Sequence, residues 1–156
     1  IKTNTPLTQN ISAKDIINNI EPSQDMHLQP IMGTNFYNDI LVKYKAQTLN
    51  EDEITLVGYI QPSLAYRAAA MALPFIHYQI KNKGIQTQSG DNSTNADNNI
   101  VAYLRNELEN RADFYEQRLI NYLCLNKGLY PAYTNDNTTD MNPNSDSPYT
   151  GGIAFY

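Results

Sequence analysis

The residues able to do chemistry are few and widely separated. The chain holds two histidines, His27 and His77, and one cysteine, Cys124. Asp25-Met26-His27 sets two potential ligands two positions apart, and such positions face away from each other on a helix. A metal or catalytic centre would need His27, His77 and a carboxylate to converge in space. The plainer reading of each is a hydrogen-bonded structural histidine. Cys124 sits in the apolar run Tyr122-Leu123-Cys124-Leu125, the usual setting of a buried thiol. No histidine or cation lies near it in sequence to stabilise a reactive thiolate, and one cysteine makes no internal disulfide. Glu51-Asp52-Glu53 is the one carboxylate cluster, and helix capping explains it. Asp136, Asp140, Asn142, Asn144 and Asp146 lack the fixed glycine and final glutamate of a calcium loop. There is no phosphate loop, dinucleotide fingerprint or nucleophile elbow. The expectation is no enzyme, no metal and no cofactor.

Elements that would position other kinds of function are easier to read. The chain has 156 residues, which favours one domain. Net charge is −5, of which the three aspartates of residues 134–156 supply −3. No Lys/Arg cluster is present to grip nucleic-acid phosphates. No signal peptide is expected, and no apolar run approaches the ~20 residues of a membrane span.

Ser12-Ala13-Lys14-Asp15 reads as a capping box before a helix carrying Ile16, Ile17 and Ile20. Residues 23–31 are helical in pattern and stop around Pro30 and Gly33. Thr34 is placed to cap a helix with Phe36, Tyr37, Ile40, Leu41 and Tyr44 on one face. Asn50-Glu51-Asp52-Glu53 is the clearest cap in the chain. Pro62 should open or kink the next segment. Leu64 to Ile80 is apolar nearly all round, the mark of a central helix, with Pro74 as a kink and Gly84 as its C-cap. Ile85-Gln86-Thr87-Gln88 reads as a short extended stretch. Residues 88–99 read as a polar, mobile loop. A further helix should carry Ile100, Leu104, Leu108, Tyr115, Leu119 and Leu123 as its stripe, with Glu107–Arg111 as an i,i+4 pair. The predicted fold is all-α: a compact bundle of about five helices, the long ones near 60–83 and 97–127. Residues 1–133 form the helical domain and 134–156 an extended arm.

The arm is polar until Tyr149-Thr150-Gly151-Gly152-Ile153-Ala154-Phe155-Tyr156. Composition this polar cannot bury enough surface to offset its ordering entropy, yet its final residues are ones a chain would bury. A frayed terminus is the plain reading; an arm that docks elsewhere is the functional one. Fully extended, residues 134–156 span at most ~75–80 Å. The partner-binding candidates are Tyr149, Gly151, Gly152, Ile153, Phe155 and Tyr156, with strand addition or insertion between subunits as the mode.

Three stretches carry a family likeness. Ser23-Gln24-Asp25-Met26-His27-Leu28-Gln29-Pro30-Ile31-Met32-Gly33 runs into Phe36-Tyr37-Asn38-Asp39-Ile40-Leu41. Ile60-Gln61-Pro62-Ser63-Leu64-Ala65-Tyr66 follows, with Ala72-Leu73-Pro74-Phe75. Tyr103-Leu104-Arg105-Asn106-Glu107 comes last, continued by Phe114-Tyr115 and Arg118-Leu119-Ile120-Asn121-Tyr122-Leu123. In this order they resemble the small helical head–tail connector proteins of tailed phages, above all the ring-forming adaptor of crAss-like phages. The likeness covers roughly residues 10–127. It implies a structural virion protein at the head–tail junction, made in the host bacterial cytoplasm. It also implies a homo-oligomeric ring, typically a dodecamer, bound to the portal protein and to further tail or ring proteins. Genomic DNA would pass through the lumen without specific binding, no membrane would be involved, and the arm would reach the portal or a neighbouring subunit. The alternative class is a monomeric helical binding module recruiting one partner through its arm.

Overall fold

The computed structural model describes residues 16–81, 84–87, 98–133 and 140–143. Ile16 and Ile17 are helical, and after a turn at residues 18–19 residues 20–32 form helix α1 in three registers: α-helical Ile20–Ser23, a π turn over Gln24–Leu28, and α-helical Gln29–Met32. Pro30 accounts for the widened turn. It has no N–H to give the Met26 carbonyl, and its ring crowds that oxygen; a π turn moves the carbonyl aside. Gly33 then stops the helix at φ +77°, a conformation that L side chains rarely adopt.

Helix α2, Thr34–Ala46, buries Phe36, Tyr37 and Ile40. It ends with Gln47 in the left-handed region, where the Gln47 and Thr48 amides take up its last free carbonyls. Helix α3, Glu51–His77, is opened by the expected capping box. The Glu53 amide donates to Asn50 Oδ1 at 2.8 Å, and the Asn50 amide donates to Glu53 Oε2 at 2.9 Å.

The predicted long helix at 60–83 is corrected at both ends. Pro62 and Pro74 lie inside α3, so the segment begun at Glu51 runs on without a break. An interior proline costs ~3 kcal/mol or more. Here Gly58, the residue four back from Pro62, has open space around it, and Leu56, Ile60 and Ala65 are buried on both sides of the proline. At the other end the helix stops at His77. Tyr78–Lys81 and Gly84–Thr87 pair as an antiparallel hairpin, β1 and β2, with Ile80 opposite Ile85. Alternating Tyr, Ile and Thr favour strand over helix here, so Gly84 opens a strand rather than capping a helix. Most of the predicted loop 88–99 lies outside the described residues.

Helix α4, Asn98–Leu125, matches the expected span of 97–127 closely. It runs antiparallel to α3: Tyr59 stacks on Tyr122, Arg67 bonds Glu116, and Ala70 clusters with Leu108. The main core forms where α1, α2, the start of α3 and the end of α4 meet, around Met32, Phe36, Leu56, Leu119 and Leu123. Two short 3-10 turns, Lys127–Leu129 and Pro131–Tyr133, close it from below. Tyr130, between these turns, and Tyr133, in the second, have ring centroids 5.5 and 5.9 Å from that of Phe36. The middle of α3 packs through alanines: Ala68 and Ala72 against Ile16, Ala69 and Ala70 against Leu108.

Candidate docking surfaces

Four places on this body have the chemistry to hold a partner or to anchor one.

The first is the seat of the polar C-terminal segment. Residues 140–143 return to the α1–α2 junction. Thr34 Oγ1 donates to Asp140 Oδ2 at 2.8 Å. The Thr34 amide donates to the Met141 carbonyl at 3.0 Å, and the Met141 amide donates to Thr34 Oγ1 at 3.1 Å. Gln29 Nε2 donates to Thr34 Oγ1 at 2.9 Å. Pro143 covers Gly33 so closely that a Cβ there would lie 2.7 Å from Pro143 Cδ. The Thr34 side chain therefore does not cap its own helix, as expected from sequence; Gly33 takes the N-cap position. The chain is pinned at Pro143, and residues 144–156 reach at most ~45 Å beyond it, not the ~75–80 Å of a free 134–156 arm. The predicted partner-binding residues Tyr149, Gly151, Gly152, Ile153, Phe155 and Tyr156 lie outside the described residues.

The second is an apolar groove of about 290 Å³ between α1, α2 and α3, whose lining includes Met32, Ile40, Leu41 and Val57.

The third is a ladder on the α3–α4 seam. Tyr59 stacks on Tyr122 at 4.2 Å with Arg118 over the Tyr59 ring at 5.2 Å. Two helical turns on, Tyr66 stacks on Tyr115 at 5.6 Å with Arg111 at 6.0 Å from the Tyr66 centroid. Arg111 is thus committed to an aromatic face rather than to the expected pair with Glu107. The i,i+4 ion pair that forms is Arg105–Glu109 at 2.8 Å.

The fourth is the exposed far end of the α3–α4 pair. Phe75 is 58 % exposed, Ile100 51 %, Tyr103 63 % and Leu104 47 %. The expected stripe of α4 is buried only in its later part, at Leu108, Leu119 and Leu123.

Inside the seam lies a polar cluster that the sequence reading did not single out. Arg67 is nearly buried. Its Nε and Nη2 donate to the two carboxylate oxygens of Glu116, each at 2.8 Å, and Nη2 also reaches Asp113 Oδ1 at 2.6 Å. The signal was there: Arg67 is the one charged residue between Glu53 and Lys81. His27 Nδ1 lies 3.9 Å from Glu116. Burial first, and the Arg67 charge second, lower the His27 pKa against the opposing pull of Glu116, Asp113 and Glu109. His77 ends α3 ten residues past Arg67, ~15 Å along the axis, so the backbone does not bring the two histidines together. Among the described residues no group of three or more His, Cys, Asp or Glu is arranged to hold a metal. No helix among them is long and apolar enough to cross a membrane.

Three other titratable pairs sit at the core. Burial would raise the Glu53 pKa, but hydrogen bonds from Lys43 and the Asn50 amide, with the Lys43 charge, hold it below the ordinary value. Lys43 Nζ sits 2.7 Å from both Glu53 and Asp39. Tyr130 donates to the Asp52 carbonyl at 2.8 Å and meets the Tyr122 hydroxyl at 2.9 Å. Burial, then Tyr122, pushes the Tyr130 pKa up. Burial, then Cys124, does the same for Tyr133.

The described residues thus form an all-α body built on an antiparallel helix pair, with an apolar groove, an aromatic ladder and an exposed apolar end on its surface. A family model described as a family of unknown function, DUF6712, matches residues 28–143. The chain belongs to that family, and the match ends at the proline that seats on Gly33. No curated protein and no solved structure matches the chain.

Proposed function

We propose that the chain is a structural, non-catalytic virion protein. It forms a ring below the portal that joins capsid to tail and continues the DNA channel. The likeness of its three core stretches to head–tail connectors supports the reading. The observation that carries it is the exposure of Phe75, Ile100, Tyr103 and Leu104 toward one end of the α3–α4 pair, since exposed apolar side chains gathered at one place mark interaction sites. Ring subunits meet head to tail through two different patches. A second exposed set, Val42, Tyr44 and Ile54, belongs to α2 and the opposite end of α3. A net charge of −5 suits a channel that repels the duplex rather than holding it.

In this reading the portal protein and further tail or ring proteins are the partners. The protein works at the head–tail junction of the virion after synthesis in the host cytoplasm. Residues 144–156 dock on the portal or a neighbouring subunit. One arm binds weakly, and the repeated arms of a dodecamer act together. The test is co-assembly with portal rings, imaged by electron microscopy. A closed ring of this chain beneath the portal is expected, with removal of residues 149–156 leaving the body folded and portal binding weakened. A chain that stays monomeric beside intact portal rings would refute the reading in favour of a one-partner binding module.

A further inference from the structure

We infer that the groove between α1, α2 and α3 is the seat of Ile153–Tyr156 of the same chain when the protein is free. The groove combines buried Leu28, Met32 and Ile40 with half-buried Leu41, Val57 and Leu64. Its volume of about 290 Å³ lies at the small end of the ~300–1,000 Å³ usual for ligand pockets, a size for a few side chains rather than a large molecule.

Three observations select the occupant. The first is where the chain is held. Pro143 is seated on Gly33, and Met32, the next residue back, lines the groove. The second is length. Ile153 is ten positions past Pro143, enough for ~33 Å when extended, while Gly33 to Tyr44 along α2 is only ~16 Å. The third is chemistry. Ser147 to Tyr156 carries no charged side chain, so no side chain in it is repelled by Glu21 and Asp25, the acids whose charge is felt at Tyr37 on the groove.

In an extended segment Ile153 and Phe155 point the same way about 7 Å apart, close to the 5.4 Å pitch that separates turns of the helical wall. Gly151-Gly152 lets the backbone turn in. Two or three apolar side chains are too little to hold a free peptide at micromolar concentration. A short flexible tether supplies an effective concentration of about a millimolar, which is why the segment belongs to the same chain. The inference concerns the free protein and holds whether or not copies form a ring.

The test is methyl NMR of the full chain, of a chain ending at Ser147, and of full-length Phe155→Asp. The expected result is that the methyl resonances of Leu41, Val57 and Leu64 shift on truncation. Phe155→Asp should move them the same way, with every shift unchanged by tenfold dilution. Because these changes lie outside the core, the body stays folded in all three. Groove methyls indifferent to both changes would overturn the inference. So would differences that vanish on dilution, since the occupant would then be a second copy's segment.

Discussion

Replacing Gly33 by alanine tests the pinning of the C-terminal segment. Two separate penalties are built into the position. The backbone sits at φ +77°, and a side chain forced into a sparsely populated region costs of order 1–3 kcal/mol. The new Cβ would also lie 2.7 Å from Pro143 Cδ, 2.8 Å from Cγ and 2.9 Å from the backbone nitrogen, so the ring and its backbone must both move. Moving them breaks the well-formed bonds at Thr34: 2.8 Å to Asp140, and 3.0 and 3.1 Å to and from Met141. Each contributes ~0.5–1.5 kcal/mol at most, and Asp140 and Met141 are exposed, which puts them at the low end. Ordering the segment offsets part of the gain, leaving about 1 kcal/mol for the seat as a whole. Gly33→Ala should therefore lose ~2–4 kcal/mol in the full chain but about 1 kcal/mol less, ~1–3 kcal/mol, in a chain ending at Tyr133, where backbone strain alone remains. Urea unfolding at constant m-value reads the difference. Equal losses in the two chains would show that Pro143 does not rest on Gly33 and would refute the argument.

Arg67→Ala should cost ~3 kcal/mol, because it strands the Glu116 carboxylate in the seam. Arg67→Met keeps the volume, and in it the His27 pKa, followed by NMR, should rise, since the acids beside the ring remain and the cation is gone. The lowered His27 pKa makes the folded chain refuse a proton that the unfolded chain accepts below its ordinary 6.5. Stability should fall as the pH drops from ~7.5 to ~5.5, and His27→Gln should flatten that slope; Glu53 adds its own loss only below its ordinary 4.5. Tyr130→Phe should cost ~1–2 kcal/mol in thermal unfolding by leaving Asp52 and Tyr122 without their partner. Tyr133→Phe should change stability by less than ~0.5 kcal/mol, because its buried hydroxyl faces only the Cys124 thiol, a weak partner.

Much of the helical body was legible because the relevant forces are local. Asn50 and Glu53 announce a capping box with two side chains three residues apart, and the pair forms. Leu108, Leu119 and Leu123 keep the period of one helix face, and all three are buried. What failed depended on partners far away in sequence. Pro62 reads as a breaker until the packing of Leu56, Ile60 and Ala65 is known to hold the helix through it. Ile100 and Leu104 share the period of Leu108, yet periodicity does not say where the facing helix stops covering it. Residues 140–143 look like free coil because no apolar pattern holds them; they are held by the hydroxyl of Thr34 and by a glycine's missing side chain. The buried Arg67 was visible as a lone charge in an apolar run, whereas its partners on α4 look like ordinary members of a solvated face.

The pin at Pro143 also gives the chain a two-stage mechanical response. A pull on residues 144–156 enters the body at Gly33 and Thr34 instead of at Tyr133, whose ring is locked in the core. Under low load the reach is fixed by the pin. If the few bonds at Thr34 part, the ten-residue step from Tyr133 to Pro143 can add up to ~33 Å of length, while Phe36, Tyr130 and Tyr133 stay packed. The junction then yields like a fuse, releasing slack at a cost of about 1 kcal/mol before any strain reaches the hydrophobic core.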